Sequence, residues 1–483
     1  MTTKQPSRYV QKSVEAISSP ELQQSLASFQ NRLGKGAMDL WKNLPDPAMR
    51  QRVKQTRMRN LENLHVILAQ LADRIRDRGG HVYFAQTAED AVNYTVEVAR
   101  KHKVKRIVKG KSMTSMEIKV DPALEAAGIE VVETDLGEYI IQLAGDQPSH
   151  IIAPCIHMNR NDIGELFADK LKMAFSNDPP TLTMAARTAL REKFLTADMG
   201  ITGCNLACAA TGHISLVSNE GNIRMATTVP PVNVAIMGME RVSASLAEHG
   251  ETMQLLSRGG ACQKISTYVS FLGGPAAKGD PDGPNEFHLI ILDNGRSRIL
   301  GDPDFREVLA CIRCGACLNI CPVYGKIGGH AYGSTCSGPI GAVITPLLHG
   351  INKYADLCKG ETLCGACKDI CPVENDLPRM LSVLRHKLAY GSEYWQTRQH
   401  KPTEAFAFRI WRLLVTHPRL YRTALGIGRF VQKMFPRENG MIQSLGPAAK
   451  GWTTARDLQP LAPSTFSKRY HSRTLNDKTT TVE

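Results

Sequence analysis

The residues of this 483-residue chain whose spacing points to chemistry are its cysteines, nine of thirteen of which fall between Cys311 and Cys371. Cys311, Cys314, Cys317 and Cys321, the last followed by Pro322, form a complete C-x-x-C-x-x-C-x-x-x-C-P run. Bacterial ferredoxins use this spacing to wrap three thiolates around one 4Fe-4S cube and send the fourth to another. The run returns fifty residues on: Cys314-Gly315-Ala316-Cys317 as Cys364-Gly365-Ala366-Cys367, and Ile320-Cys321-Pro322-Val323 as Ile370-Cys371-Pro372-Val373. Small Gly and Ala residues let backbone N–H groups approach the sulfides. Paired C-x-x-C elements also build zinc ribbons, but a ribbon needs four thiolates, whereas two runs here place seven.

Crossed ligation assigns Cys311, Cys314, Cys317 and Cys371 to one cluster and Cys321, Cys364 and Cys367 to the other. One ligand is missing, because the residue fifty positions after Cys311 is Glu361. Cys358 is the favoured substitute and Cys336 the other; for each the alternative is an ordinary buried thiol.

The elements that must position these residues follow from the rest of the chain. Length implies two or three domains, and 42% hydrophobic with 22% charged residues excludes global disorder. No apolar run is long enough to span a bilayer and no signal core follows Met1, so a cytoplasmic protein is expected. Residues 1–80 read as a helical segment, its long amphipathic stretch Asn60 to Arg78 ending at Gly79-Gly80. Residues 81–300 alternate β-branched runs (106–108, 130–132, 150–152, 213–218, 232–237, 264–271 and 288–292) with helical periods at 122–127 and 159–172, which predicts an α/β domain on a parallel sheet. Residues 301–390 predict a helical ferredoxin domain with two 4Fe-4S clusters, 391–463 a basic amphipathic helical region broken at Pro418, and 464–483 a disordered tail. The tail region carries the charge: 15 basic against 6 acidic residues after Tyr390 give +9 of the net +13. Its apolar residues, interleaved with Arg409, Arg412, Arg419, Arg422, Arg429 and Lys433, suit docking on an acidic partner or an anionic membrane surface. It shows no nucleic-acid-binding motif.

The α/β segment offers weaker signals. Asn219 to Asn222 follow an apolar run as a loop at a strand's carboxyl end would, or form a plain turn. Lys109-Gly110-Lys111-Ser112 has part of a phosphate loop, and Glu133, Asp135 and Glu138 suit a helix cap and first turn. His330 is placed to tune a cluster through a hydrogen bond to sulfide, whereas His157 and His213 read as core groups. No catalytic nucleophile-base pair can be assigned.

Taken together, Val131 to Leu143, Pro148-Ser149-His150-Ile151, Gly200 to Asn205, Ser218 to Asn222, Gly328 to Gly333 and the two cysteine runs resemble the lactate utilization protein B family over about residues 40–440. That resemblance implies an α/β domain of the lactate-utilization (LUD) type, related to CoA transferases and sugar-phosphate isomerases, and the same seven ligands with the eighth undefined. It implies an iron-sulfur electron-transfer component of a quinone-linked L-lactate dehydrogenase complex. Its partners would be other lactate-utilization subunits and an electron acceptor of the respiratory chain, while the basic tail would let the cytoplasmic protein sit peripherally on the inner face of the cytoplasmic membrane. The alternative is an enzyme whose α/β domain does acyl or phosphate-ester chemistry, with structural or redox-sensing clusters.

Overall fold

The computed structural model describes residues 7–397, 402–446, 453 and 456–471. The chain forms two compact units that divide between residues 399 and 400.

Among the described residues ten strands organise the first unit: β1 (His81–Ala85), β2 (Arg106–Lys109), β3 (Glu130–Glu133), β4 (Met199–Thr202), β5 (Leu206–Cys208), β6 (His213–Ser218), β7 (Val232–Gly238), β8 (Val242–Ser243), β9 (Tyr268–Leu272) and β10 (Glu286–Leu292). Six make the expected parallel sheet, in the order β1-β10-β7-β4-β2-β3. Helices cover both of its faces, so central strands such as β7 are buried along their whole length and read as continuous apolar runs. A second sheet, β8-β5-β6-β9, mixes parallel and antiparallel pairs and was not expected. The run His150-Ile151-Ile152 is not a strand. His150 Nδ1 accepts the N–H groups of Ile152 and Ala153 at 3.0 and 3.3 Å, which closes a turn instead.

The amphipathic stretch from Asn60 breaks at Asn63, leaving helices Met49–Glu62 and Leu64–Arg76. The second buries Leu64, Leu68, Leu71 and Ile75 with Ala235, Met237, Leu289 and Ile291 of the parallel sheet. Three earlier helices, Arg8–Ile17, Pro20–Phe29 and Lys35–Lys42, reach the cysteine-rich region, where Leu26 joins the core of Phe305, Leu318 and Tyr324. Polar side chains of the N-terminal segment bond the carbonyls of the cysteine loops. Gln30 Nε2 donates to Cys321 O at 2.7 Å, Trp41 Nε1 to Ile370 O at 2.9 Å, and Arg50 Nη2 to Cys371 O at 2.6 Å.

Arg57 lies deepest of these. Its guanidinium donates to Glu240 O, Val242 O, Leu309 O and Ala310 O at 2.8 to 3.3 Å. Burial pulls its pKa down to about 10, so it stays charged at neutral pH. The turn between β7 and β8 carries Glu240, whose carboxylate meets Arg296 at 2.8 Å. Burial opposes its charge, yet Arg296, Arg241 and Arg313 together hold it down at about 2.

The cysteine-rich region is helical but discontinuous, with short helices beside two longer ones, Gly338–His349 and Leu377–Tyr390. In the second unit Pro418 does divide the basic region, into helices Pro402–Thr416 and Pro418–Val431. Residues 466–471 are helical rather than irregular, and the rest of the segment expected to be disordered, from 472, lies outside the described residues. Among the described residues no helix is long and apolar enough to cross a membrane.

Arg57→Met keeps the stem and removes the donors, leaving four buried carbonyls short of a partner. The expected loss is about 3 kcal/mol or more, measured as a lower urea midpoint of the anaerobically prepared protein. An unchanged midpoint would mean that water or neighbouring groups satisfy those carbonyls.

Candidate iron-sulfur centre

The two cysteine runs repeat in conformation as well as in sequence. Arg313 and Leu363 take left-handed backbone angles, φ 59° and 57°, and Gly315 and Gly365 follow at 85° and 89°. A left-handed residue at each position bends the loop so that a short helix, Ala316–Ile320 in one run and Ala366–Asp369 in the other, can begin between its cysteines. The two short helices pack against each other, which brings the runs together.

Cys311, Cys314, Cys317 and Cys371 line one cavity together with Ile340 and Asn375. Backbone N–H groups point at the sulfurs: Arg313 N to Cys311 Sγ at 3.3 Å, Ala316 N to Cys314 Sγ at 3.5 Å, and Asn375 N to Cys371 Sγ at 3.3 Å. Both side-chain polar atoms of Asn375 are buried without a partner. Burial, then the charge of Cys311, pushes the Cys371 thiol up to about 12. Cys314 and Cys317 are raised by the same burial and mutual repulsion. Cys314, Cys317 and Cys371 resist ionisation because their charges would be buried side by side, and with Cys311 they make a donor set suited to metal, since metal charge is what such a set lacks.

The second set is less symmetrical. Cys321 and Cys367 are buried and Cys364 is exposed. Tyr324 N approaches Cys321 Sγ at 3.4 Å, and the carboxylate of Glu361 lies at 3.4 Å from the same sulfur. Burial, followed by the charges of Glu361 and Cys364, raises Cys367 to about 12. Cys358 is fully buried, in helix Ala355–Lys359, with its thiol toward Tyr354 O at 3.8 Å. Cys336 takes the Arg313 Nη1 donor at 3.0 Å.

The α/β domain supplies one wall. His150 Nε2 donates to Asn319 Oδ1, on the helix between Cys317 and Cys321, at 2.9 Å. Burial holds its pKa down at about 3, so the ring is neutral. Ser149 O accepts from Tyr324 OH at 2.7 Å and Ser149 Oγ from Gly329 N at 3.1 Å. A Cβ at Gly259 would stand 3.0 Å from Cys314 Sγ, so helix Leu246–Ala261 approaches that thiol closely because the position is glycine. Sequence reasoning gave none of these residues a role at the centre.

His330, by contrast, turns away from the thiols. Its Nε2 donates to Gln147 O at 2.6 Å and its ring packs on His157, which pairs with Asp146 at 3.0 Å. His213 is an Arg78 partner, only part-buried. Lys109 is wholly buried between Asp121 and Glu133, 2.8 and 2.5 Å away, which makes it an internal ion pair and not an anion receptor. Asp135 caps helix Leu136–Ala144 as expected, accepting from Gly137 N and Glu138 N. Ser218 Oγ accepts from Glu220 N and Gly221 N, so the Asn219–Asn222 segment is a hydrogen-bonded turn before helix Asn222–Thr228.

Known families divide the chain along the same lines. Residues 68–292 match the LUD domain, 307–375 the 4Fe-4S dicluster domain and 392–474 the C-terminal domain of lactate utilisation protein B. The chain therefore carries a LUD domain on a parallel sheet, a ferredoxin-type iron-sulfur domain and a helical C-terminal region. A DUF162 family protein from Deinococcus radiodurans aligns with 47% of this chain and 98% of its own at 14% identity and a TM-score of 0.28, too low to bear on the fold. Lactate utilization protein B of Bacillus licheniformis is 42% identical over 93% of each chain. That of Geobacillus kaustophilus is 44% identical over 88% of each, and that of Bacillus subtilis 42% identical over 92% of this chain and 90% of its own. Relatives this similar over nearly the full length show that the chain belongs to the lactate utilization protein B family.

Proposed function

We propose that this protein is the electron-transfer member of an L-lactate utilization system, taking electrons from the oxidation of L-lactate to pyruvate and passing them toward the respiratory chain. The observation that carries the reading is the pair of thiol sets packed side by side in one module, one with three of its four thiols buried and one reaching the surface at Cys364. Cys311, Cys314, Cys317 and Cys371 would hold one 4Fe-4S cluster, and Cys321, Cys364 and Cys367 would hold the second. Such a cluster, when bound, supplies a one-electron carrier. The chain's own part is to gather seven sulfurs, to aim N–H groups at Cys311, Cys314, Cys321 and Cys371, and to keep water from the first set. Lactate itself would be oxidised with the other lactate-utilization subunits.

The second unit supports peripheral docking on an anionic membrane surface at the inner face of the membrane. Phe406, Trp411 and Phe430 are exposed on helices that also carry Arg409, Arg412, Arg419, Arg422 and Arg429. Apolar residues flanked by cations match the boundary between acyl chains and acidic headgroups.

L-lactate added to the protein with its partner subunits should develop the EPR signal of reduced clusters; a silent spectrum from active partners would overturn the electron-transfer reading. Under crossed ligation, Cys371→Ala should abolish the signal of the cluster whose other ligands lie some fifty residues upstream, and Cys321→Ala that of the second. Mutations that each silence only the cluster of their own run would show uncrossed ligation. Replacing Arg409 and Arg412 by Gln should weaken binding to phosphatidylserine vesicles about 30-fold at low salt, from about 1 kcal/mol per cation. Equal binding by the variant would mean that the surface meets something other than anionic lipid.

A further inference from the structure

We propose that Glu361 is the eighth cluster ligand, its carboxylate completing the donor set of Cys321, Cys364 and Cys367. The inference rests on the reading that this module binds two 4Fe-4S clusters, and it names the group that the second thiol set lacks.

Position comes first. Glu361 stands three residues before Cys364, as Cys311 stands three before Cys314, so the second run reads E-x-x-C-x-x-C-x-x-x-C-P. The equivalence holds in the backbone, because the left-handed pairs Arg313/Leu363 and Gly315/Gly365 fall at matching points of the two loops. A side chain at 361 therefore leaves the loop where the Cys311 side chain leaves the first.

Geometry agrees. Glu361 Oε2 lies 3.4 Å from Cys321 Sγ, within one donor set, while Oε1 accepts from Tyr332 OH at 3.0 Å. A carboxylate with one oxygen held by a phenol and the other facing a thiol is oriented as a metal-bound carboxylate is by its outer partner. The loop is fixed as well: Arg385 donates to Cys358 O and Glu361 O, each at 2.7 Å. That guanidinium is spent on carbonyls, and among the described residues no Lys, Arg or His forms an ion pair with Glu361. A buried carboxylate without an ion-pair partner is costly, and a cluster iron would supply that partner.

The two thiols that could compete are engaged elsewhere. Cys358 turns back into its own helix toward Tyr354 O, and Cys336 faces Arg313 on the side of the first run. Carboxylate oxygen is a harder donor than thiolate and holds cluster iron less firmly. One iron of the second cluster should thus be the labile one of the set.

The test uses the full chain purified without oxygen. Wild type should hold about eight irons, and Glu361→Gln about seven, with the EPR signal of an oxidised three-iron cluster appearing in place of one cubane. Glu361→Cys should restore about eight irons and move the second cluster's reduction potential from the wild-type value. Cys358→Ser should leave iron content and both signals as in wild type. The proposal is overturned if Glu361→Gln and Glu361→Cys both keep wild-type iron and spectra, or if Cys358→Ser is the variant that opens the cluster. Should Glu361→Gln fail to fold, Glu361→Cys decides alone by whether its second-cluster spectrum and potential differ from wild type. Wild type without iron and inorganic sulfide would instead defeat the underlying two-cluster reading.

Discussion

Backbone carbonyls with no ladder to join are the constraint around which this molecule is built. Between the last strand of the parallel sheet and helix Leu377–Tyr390 the chain bends repeatedly to bring seven sulfurs together, and such a path cannot satisfy its own polar groups. Buried carbonyls left alone would be costly. Long side chains from helices near the start of the chain meet the need: Gln30 at Leu318 O and Cys321 O, Trp41 at Ile370 O, Arg50 at Asp369 O and Cys371 O, and Arg57 at Leu309 O and Ala310 O. The N-terminal segment thus supplies hydrogen-bond donors that the cysteine-rich region cannot supply for itself, while its last helix packs on the parallel sheet.

The α/β domain is joined to that region by the same logic and by charge. Ser149 and His150 reach Tyr324, Gly329 and Asn319, and Arg241 reaches Cys311 O. Behind them, within the α/β domain, the Arg296 guanidinium sits between Glu240 and Glu117, and Glu240 also meets Arg313 of the first cysteine run at 4.0 Å, an ion pair across the domain boundary. Breaking one member of such a group strands the others, which resists independent movement of the two domains more than an apolar contact of equal area would.

Much of this was legible in the sequence where a local pattern carries the physics. The β-branched runs at 106–108, 130–132 and 232–237 are strands because strands buried on both faces must be apolar throughout. The cysteine repeat was legible because thiolates must recur at fixed intervals to surround a cube. Met199-Gly200-Ile201-Thr202 escaped notice: β4 is short and carries a glycine, which suits close helix packing but gives no strand signal. Ile151 and Ile152 misled in the other direction, since an apolar pair looks the same in a strand as in a turn closed by a histidine ring. The strap of Gln30, Trp41, Arg50 and Arg57 left no trace, because a polar side chain on an amphipathic helix looks solvated until its distant partner is known.

The distance along the chain between that strap and its partners has a consequence for synthesis. The contacts from Gln30 and Trp41 span 288 to 329 residues. At about 5–20 residues per second, the first helices leave the ribosome roughly 15–60 s before the loops they must hold exist. In that interval Leu26 and Trp41 have nothing to bury against, and the parallel sheet, whose edge strand β1 waits for β10, is also open. Until its last third emerges the nascent chain therefore exposes apolar surface and an open strand edge, the features that make incomplete chains prone to aggregate. Cysteine loops must be present to receive iron, while the helices that will close over them are already waiting.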